Sequence, residues 1–148
     1  MEDRSDLQRF VLAQDPVYRQ VLAELCAGRK RTHWMWFIFP QIEGIGQSEM
    51  SHRFAISSIQ EAADYLHHPI LGPRLIECTG LVNKLWGHTA YQVFGDIDCR
   101  KFHACMTLFC RVGGPVSVFH DALGTYFDNL EDEVTARLLL DHSAERSV

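Results

Sequence analysis

Residues 29–41 read Arg-Lys-Arg-Thr-His-Trp-Met-Trp-Phe-Ile-Phe-Pro-Gln and place three cations directly before an aromatic-rich apolar segment. A short apolar run can form either a buried helix or a buried strand, and the residues alone leave both open. Thr32 as a possible cap and Pro40 as a stop favour a short buried helix. We therefore expect the large apolar side chains of this segment mainly in the core: Trp34, Phe37 and Phe39.

The length and composition are typical of one globular domain. The chain has 148 residues, of which 47% are hydrophobic and 22% charged. A chain of this size buries roughly two thirds of its unfolded surface, which is enough for an ordinary core. We find no repeat and no linker, so we predict a single helical domain over residues 1–148, with residues 1–5 and 143–148 as frayed termini.

The formal net charge of −5 disfavours nucleic acid and anionic lipid as partners, because the whole chain repels both at long range. No apolar run approaches the roughly 20 residues that cross a bilayer, and residues 1–15 lack a signal core. We therefore expect a cytoplasmic protein without a membrane partner. The sequence does not determine the oligomeric state.

Apolar residues recur at helical spacing along most of the chain and predict a mainly α fold. Cap signals lie at Ser5, Asp15, Ser58 and Asp98, and Pro115 can open a further helix. We predict about six to seven short-to-medium helices, with a long irregular loop over residues 41–56. Loops of that length in compact domains are often functional.

The cations before the aromatic segment allow two interpretations. Arg29 and Arg31 follow a helix that Gly28 ends, where positive charge complements the helix dipole. Alternatively, they flank the free amide groups of a helix starting at Thr32 and so hold a phosphate or carboxylate group. On the second interpretation, Arg74 would add a further cation to the ligand site.

His33 and Trp36 are three residues apart and would be neighbours on a helix. They could form a core pair, or they could face a pocket in which the indole ring stacks on a ligand and His33 transfers a proton. Gln41, directly after the proline, could orient such a ligand. These three residues are candidates, with His33 the first choice for acid–base catalysis.

Lys101 lies in the first turn of the helix that Asp98 is expected to cap, where a cation opposes the positive end of the dipole. Solvent exposure would explain this position. The alternative is that Lys101 and the helix N-terminus together bind an anion, with Asp96 or Asp98 balancing the charge. In an enzyme, Lys101 would stabilise a developing anion and Asp98 would be the orienting or partner carboxylate. We therefore count Asp98 and Lys101 with His33 as candidate catalytic residues.

No metal or other cofactor is predicted. Cys99 and His103 share a helical face, but their spacing does not complete a standard zinc pattern. The five cysteines, an odd number without a secretion signal, are best interpreted as reduced core thiols.

Several sequence blocks resemble a known family, the domain of unknown function 1810 family. They are the segment from Arg29 to Gln41, the run Leu71-Gly72-Pro73-Arg74-Leu75, the pair Phe94-Gly95, and Asp98-x-x-Lys101 leading to Met106-Thr107-Leu108-Phe109. The resemblance implies a small, mostly helical bacterial protein without an established activity. Where the family usually has two serines, this chain has Ala104 and Cys105.

Two functions remain open. The first is a pocket that binds a small anionic ligand of nucleotide- or phosphate-like type, with turnover of that ligand as an open extension. The second is a non-catalytic protein–protein interaction module in which the basic triplet meets an acidic surface. The two hypotheses differ in whether His33, Trp36 and Lys101 converge on one concave site.

Overall fold

The computed structural model describes residues 6–113 and 117–146, and within these ranges the protein is built from ten helices. They are α1 (Gln8–Gln14), α2 (Tyr18–Ala27), α3 (Met35–Ile38), α4 (Glu49–Arg53), α5 (Ile59–His67), α6 (Leu71–Asn83), α7 (Ala90–Phe94), α8 (Asp96–Gly113), α9 (Val118–Phe127) and α10 (Glu133–Arg146). No strand occurs in the described ranges, although a parallel bridge joins Ile42 to Ile56. The predicted mainly α class is confirmed, and the predicted helix count was too low.

Helix α8 is the centre of the packing, with α5, α7, α9 and α10 around it. Its Phe102 is fully buried and meets the ring of Phe39 edge-on, with the ring centroids 5.0 Å apart. Phe94 from α7 stacks on the same Phe102 ring at 4.8 Å. Trp34, Phe37 and Phe39 are all buried, as the sequence predicted.

Several helix ends follow the predicted local chemistry. Gly28 ends α2 with a left-handed backbone (φ 81°), and the Ser58 side chain accepts the backbone N–H of Glu61 at the start of α5. Ser48 caps α4 and Thr89 caps α7 in the same manner. These two five-residue helices account for part of the underestimated count.

Three expected caps were wrong. Asp15 closes α1 instead of capping α2, which begins only at Tyr18. Thr32 does not cap α3, because its hydroxyl donates to a carboxylate on α2. Asp98 lies inside the first turn of α8, since that helix already begins at Asp96. The predicted cap at Ser5 and the predicted helix start at Pro115 lie outside the described residues.

One buried carboxylate organises the chain between α2 and α3. Glu24 is 3% exposed, and its Oε1 accepts the backbone N–H groups of Arg31 (2.6 Å) and Thr32 (3.0 Å) and the indole N–H of Trp34 (3.1 Å). Its Oε2 accepts the Thr32 hydroxyl at 2.6 Å and the amide of Gln20 at 2.9 Å. The segment 29–34 is thereby folded back onto the end of α2.

The hydrogen bonds to Glu24 determine its protonation. Burial alone would raise the pKa of this carboxyl, but the donors from Thr32, Arg31 and Gln20 outweigh it and lower the pKa from 4.5 to about 2. The charged form is therefore the one that the fold stabilises at neutral pH.

Residues 41–56 form the predicted loop, interrupted by α4. Backbone bonds close it at its base, where Glu43 donates to the Ile56 carbonyl and Ile56 donates to the Gln41 carbonyl, both at 2.8 Å. A Cβ atom at Gly46 would lie 2.2 Å from Oγ and 2.3 Å from Cβ of Ser51. Close packing within the loop therefore requires glycine at this position.

We expect Glu24→Gln to lower the free energy of unfolding at pH 7 by about 3 kcal/mol, the energy that a pKa lowered from 4.5 to about 2 represents. In the parent protein this contribution is present above pH 4.5 and is lost as the pH falls toward 2. Urea titrations between pH 2 and 7 measure both effects. Glu43→Gln, at an exposed carboxylate, is the matched control, and equal loss in the two variants would contradict the role of Glu24.

Two glycines should respond oppositely to alanine. Gly46→Ala should destabilise the protein by about 1–3 kcal/mol, because the new methyl group overlaps Ser51. Gly80→Ala should stabilise it by about 0.5–1 kcal/mol, because Gly80 lies inside α6 with nothing within 4 Å of the added carbon. Thermal unfolding of both variants and of Gly46→Ala with Ser51→Gly, which should recover stability, tests this. Destabilisation by both alanines would contradict it.

Candidate functional site

A groove of about 280 Å³ lies between the 41–46 part of the loop, the first turns of α8 and the start of α10. Helix α8 and the beginning of α10 each supply part of the lining. The lining residues are Gln41, Ile45, Gly46, Ile97, Arg100, Lys101, Ala104, Asp132 and Val134. The site thus combines apolar side chains with charges of both signs.

Lys101 connects the groove to the aromatic segment. Its ammonium group lies over the ring of Trp36, 4.9 Å from the ring centroid, and 3.7 Å from Oδ1 of Asp98. Its side chain is 19% exposed. A cation over an indole face is attracted by the ring's quadrupole. The structure therefore brings together three of the predicted site residues: Trp36, Asp98 and Lys101.

Asp98 has a second and closer partner that the sequence interpretation missed. Nζ of Lys30 lies 2.8 Å from Oδ2 of Asp98 and 5.2 Å from the ring centroid of Trp34. The Lys30 side chain is only 8% exposed. Lys30 belongs to the basic triplet, but its partner is 68 positions away in the chain, and no local pattern distinguishes it from its two neighbours.

The other charges at the groove already have partners. Arg100 pairs with Asp96 at 3.4 Å across one exposed turn of α8. Oδ2 of Asp132 accepts the backbone N–H of Thr135 at 3.0 Å and its hydroxyl at 2.6 Å, at the start of α10. Asp98 is shared by two lysines. Among the residues that the structure describes, Lys101 on α8 therefore has no carboxylate of its own.

Gln41 lies in the groove, as predicted for a ligand-orienting residue, and is half-buried. A smaller recess next to the groove shares Gln41 and Gly46 with it and is also lined by Trp36, Ser51, Phe54 and Ala55. The indole of Trp36 therefore contributes to the recess rather than to the groove itself.

The remaining candidates lie elsewhere. Arg29 lines a separate cleft of about 370 Å³ beside Tyr91, and Arg31 and His33 are exposed outside the groove lining. In the described part of the chain, the His33 ring has no hydrogen-bond partner. Trp36 and Lys101 therefore contact each other but line neighbouring concavities, and His33 lines neither of them.

Arg74 joins helices instead of lining the groove. Its guanidinium pairs with Asp15 at 2.9 Å, donates to Oε1 of Gln14 at 3.3 Å, and lies 4.7 Å from the ring centroid of Tyr18. Gln14 is itself buried and donates to the Phe37 carbonyl at 2.7 Å. Arg74 thus ties α6 to α1 and α2.

His103, which with Cys99 was considered as a metal ligand, instead contacts an aromatic ring and a backbone carbonyl. His103 stacks on Phe127, with the ring centroids 3.9 Å apart, and its Nε2 lies 2.7 Å from the Leu130 carbonyl. Burial raises the pKa of the Cys99 thiol and raises that of Cys105 far more. Among the side chains of residues 6–113 and 117–142, no three His, Cys, Asp or Glu residues group closely enough to hold a metal ion.

The cysteines only partly match the predicted core thiols. All five are free; Cys78 and Cys105 are buried and Cys99 and Cys110 half-buried, but Cys26 is exposed. Along the described ranges, no helix has the length and apolar character needed to span a bilayer.

The chain is similar to a protein of known structure, and it matches a family model over most of its length. The chain aligns at 51% identity with the crystal structure of the conserved hypothetical protein Rv1873 from Mycobacterium tuberculosis. The alignment covers 93% of this chain and 99% of that one, with a TM-score of 0.91. No curated protein matches the sequence. Residues 4–139 match the family described as "Protein of unknown function (DUF1810)", and the chain therefore belongs to that family.

Proposed function

We propose that the groove binds a small anionic ligand through Lys101. The observation that carries this proposal is the shared carboxylate: Asp98 lies 2.8 Å from Lys30 and 3.7 Å from Lys101. The shorter distance assigns the carboxylate charge chiefly to Lys30. The ammonium group of Lys101, which lines the groove, then keeps positive charge available for a ligand.

The surroundings of Lys101 support this assignment. Trp36 attracts the ammonium group from one side, so the lysine is held at the groove without a full ion pair. Half-burial strengthens a charge–charge interaction relative to one in bulk water. An anion entering the groove would thus meet an ordered, partly desolvated cation.

Within this proposal, Asp98 acts as an orienting group. Each of its carboxylate oxygens lies near a lysine ammonium group, so both oxygens are engaged with Lys30 and Lys101 rather than directed at a ligand. Proton transfer by His33 remains a prediction from the sequence, and the groove geometry supports binding without assigning a reaction.

The alternative is a protein-interaction module, and one observation favours it at another place on the molecule. Trp86 is 86% exposed and Tyr91 is 62% exposed, near the connection between α6 and α7. Exposed aromatic residues are enriched in protein interfaces. The aromatic segment itself is an unsuitable interface, because Trp34, Phe37 and Phe39 are buried.

Lys101→Met should weaken binding of an anionic ligand about tenfold or more, the effect of losing a charge-assisted contact. Thermal-shift screening with nucleotides, sugar phosphates and dicarboxylates identifies the ligand, and calorimetry then gives the dissociation constant. The variant should fold normally, because Asp98 keeps Lys30 as its partner.

Lys84→Met is the matched control, since it removes the same charge at an exposed position outside the groove lining. It should leave the affinity unchanged. Equal affinity in the Lys101→Met protein and the parent would overturn the proposal, as would the absence of any anionic ligand from a complete screen.

A further inference from the structure

We infer that the ligand is a small organic monoanion with one carboxylate and an apolar body, rather than a nucleotide or another multiply charged phosphate. This inference rests on the proposed function of the groove and narrows its ligand class. The charges of the groove, the apolar character of its lining and its volume each support this inference separately.

The charges favour a single negative group. Lys101 is the groove cation without a one-to-one carboxylate partner among the described residues, since Arg100 pairs with Asp96. Asp132 lines the same groove, beside the start of α10. A ligand with further negative charge would place that charge near this carboxylate, with repulsion that a monoanion avoids.

The protonation of the head group separates carboxylates from phosphate monoesters. A phosphate monoester carries a charge of about −1.5 to −2 at neutral pH, whereas a carboxylate carries one full charge. One ammonium group matches the charge of the carboxylate.

Most of the remaining lining is apolar. Ile45, Ile97, Ala104 and Val134 line the groove, and two of them extend far into solvent: Ile97 is 68% exposed and Val134 is 49% exposed. A ligand with an apolar body would cover these side chains and gain from removing their surface from water. A sugar or a polyphosphate has no apolar body to cover these side chains and would not gain this free energy.

The volume of the groove sets an upper limit on the size of the ligand. The groove volume of about 280 Å³ lies just below the range of about 300–1,000 Å³ that is usual for ligand pockets. A one- or two-ring aromatic acid or a medium-chain fatty acid suits this space, whereas a dinucleotide does not.

Naphthoate is a suitable probe, with naphthyl methanol as its uncharged analogue and adenosine monophosphate as the charged, polar competitor. Titration of the full chain, followed by calorimetry and by backbone amide NMR shifts, should show naphthoate binding about tenfold or more tightly than either comparison compound. The largest shifts should fall on the lining residues of α8 and the loop.

One variant tests the contact with the ligand's carboxylate, and another tests the contact with its apolar body. Lys101→Met should reduce naphthoate affinity to that of naphthyl methanol, and Ile97→Ser should weaken both compounds by a similar factor. Ile76→Ser is the matched control, because Ile76 is 45% exposed on α6, outside the groove lining. It should bind naphthoate as the parent does.

The outcomes separate this inference from the proposed function. Binding of adenosine monophosphate that depends on Lys101, without tighter binding of naphthoate, would overturn the inference and leave the proposed function standing. If neither anion binds, both fail. Naphthoate binding that neither Lys101→Met nor Ile97→Ser weakens would show adsorption elsewhere and would also overturn the inference.

Discussion

The buried carboxylate of Glu24 fixes the part of the chain on which the candidate site depends. Five donors from four residues converge on it, and four of these donors come from the short segment between α2 and α3. Without the carboxylate, the buried indole N–H of Trp34 would lack a partner, which costs more than the bond itself contributes. The carboxylate also holds the indole of Trp34, and the Trp34 ring lies against Lys30. The position of Lys30 beside Asp98 therefore depends on a residue that does not line the groove.

The sequence predicted what local chemistry determines. Helical periodicity predicted the α class. Gly28 predicted the end of α2 and Ser58 the start of α5, because a left-handed turn and a side-chain cap involve only residues within one helical turn. Helix α7 was overlooked, although the Thr89 and Gln92 capping box that starts it is legible in the sequence. Its five residues are too few for a periodic pattern to become visible.

The site was harder to predict because its charges meet across the fold. The sequence offered Asp96 or Asp98 as the carboxylate near Lys101, and the structure has Asp98 there. The contact of Lys30 with Asp98 was not expected, because it requires the turn organised by Glu24. Arg74 resembled a ligand cation in sequence and instead joins three helices. Glu24 itself resembled an ordinary polar residue of an amphipathic helix, because the donors that make its burial favourable come from outside that helix.

The way Lys101 is held has an entropic consequence. A lysine side chain that is free in solvent loses up to about 2 kcal/mol of rotamer entropy when it is fixed, and this loss ordinarily weakens any contact that it makes. Here the indole of Trp36 and the carboxylate of Asp98 already restrict the ammonium group during folding. Much of the ordering is thus completed before any partner arrives, so the groove presents a preorganised charge.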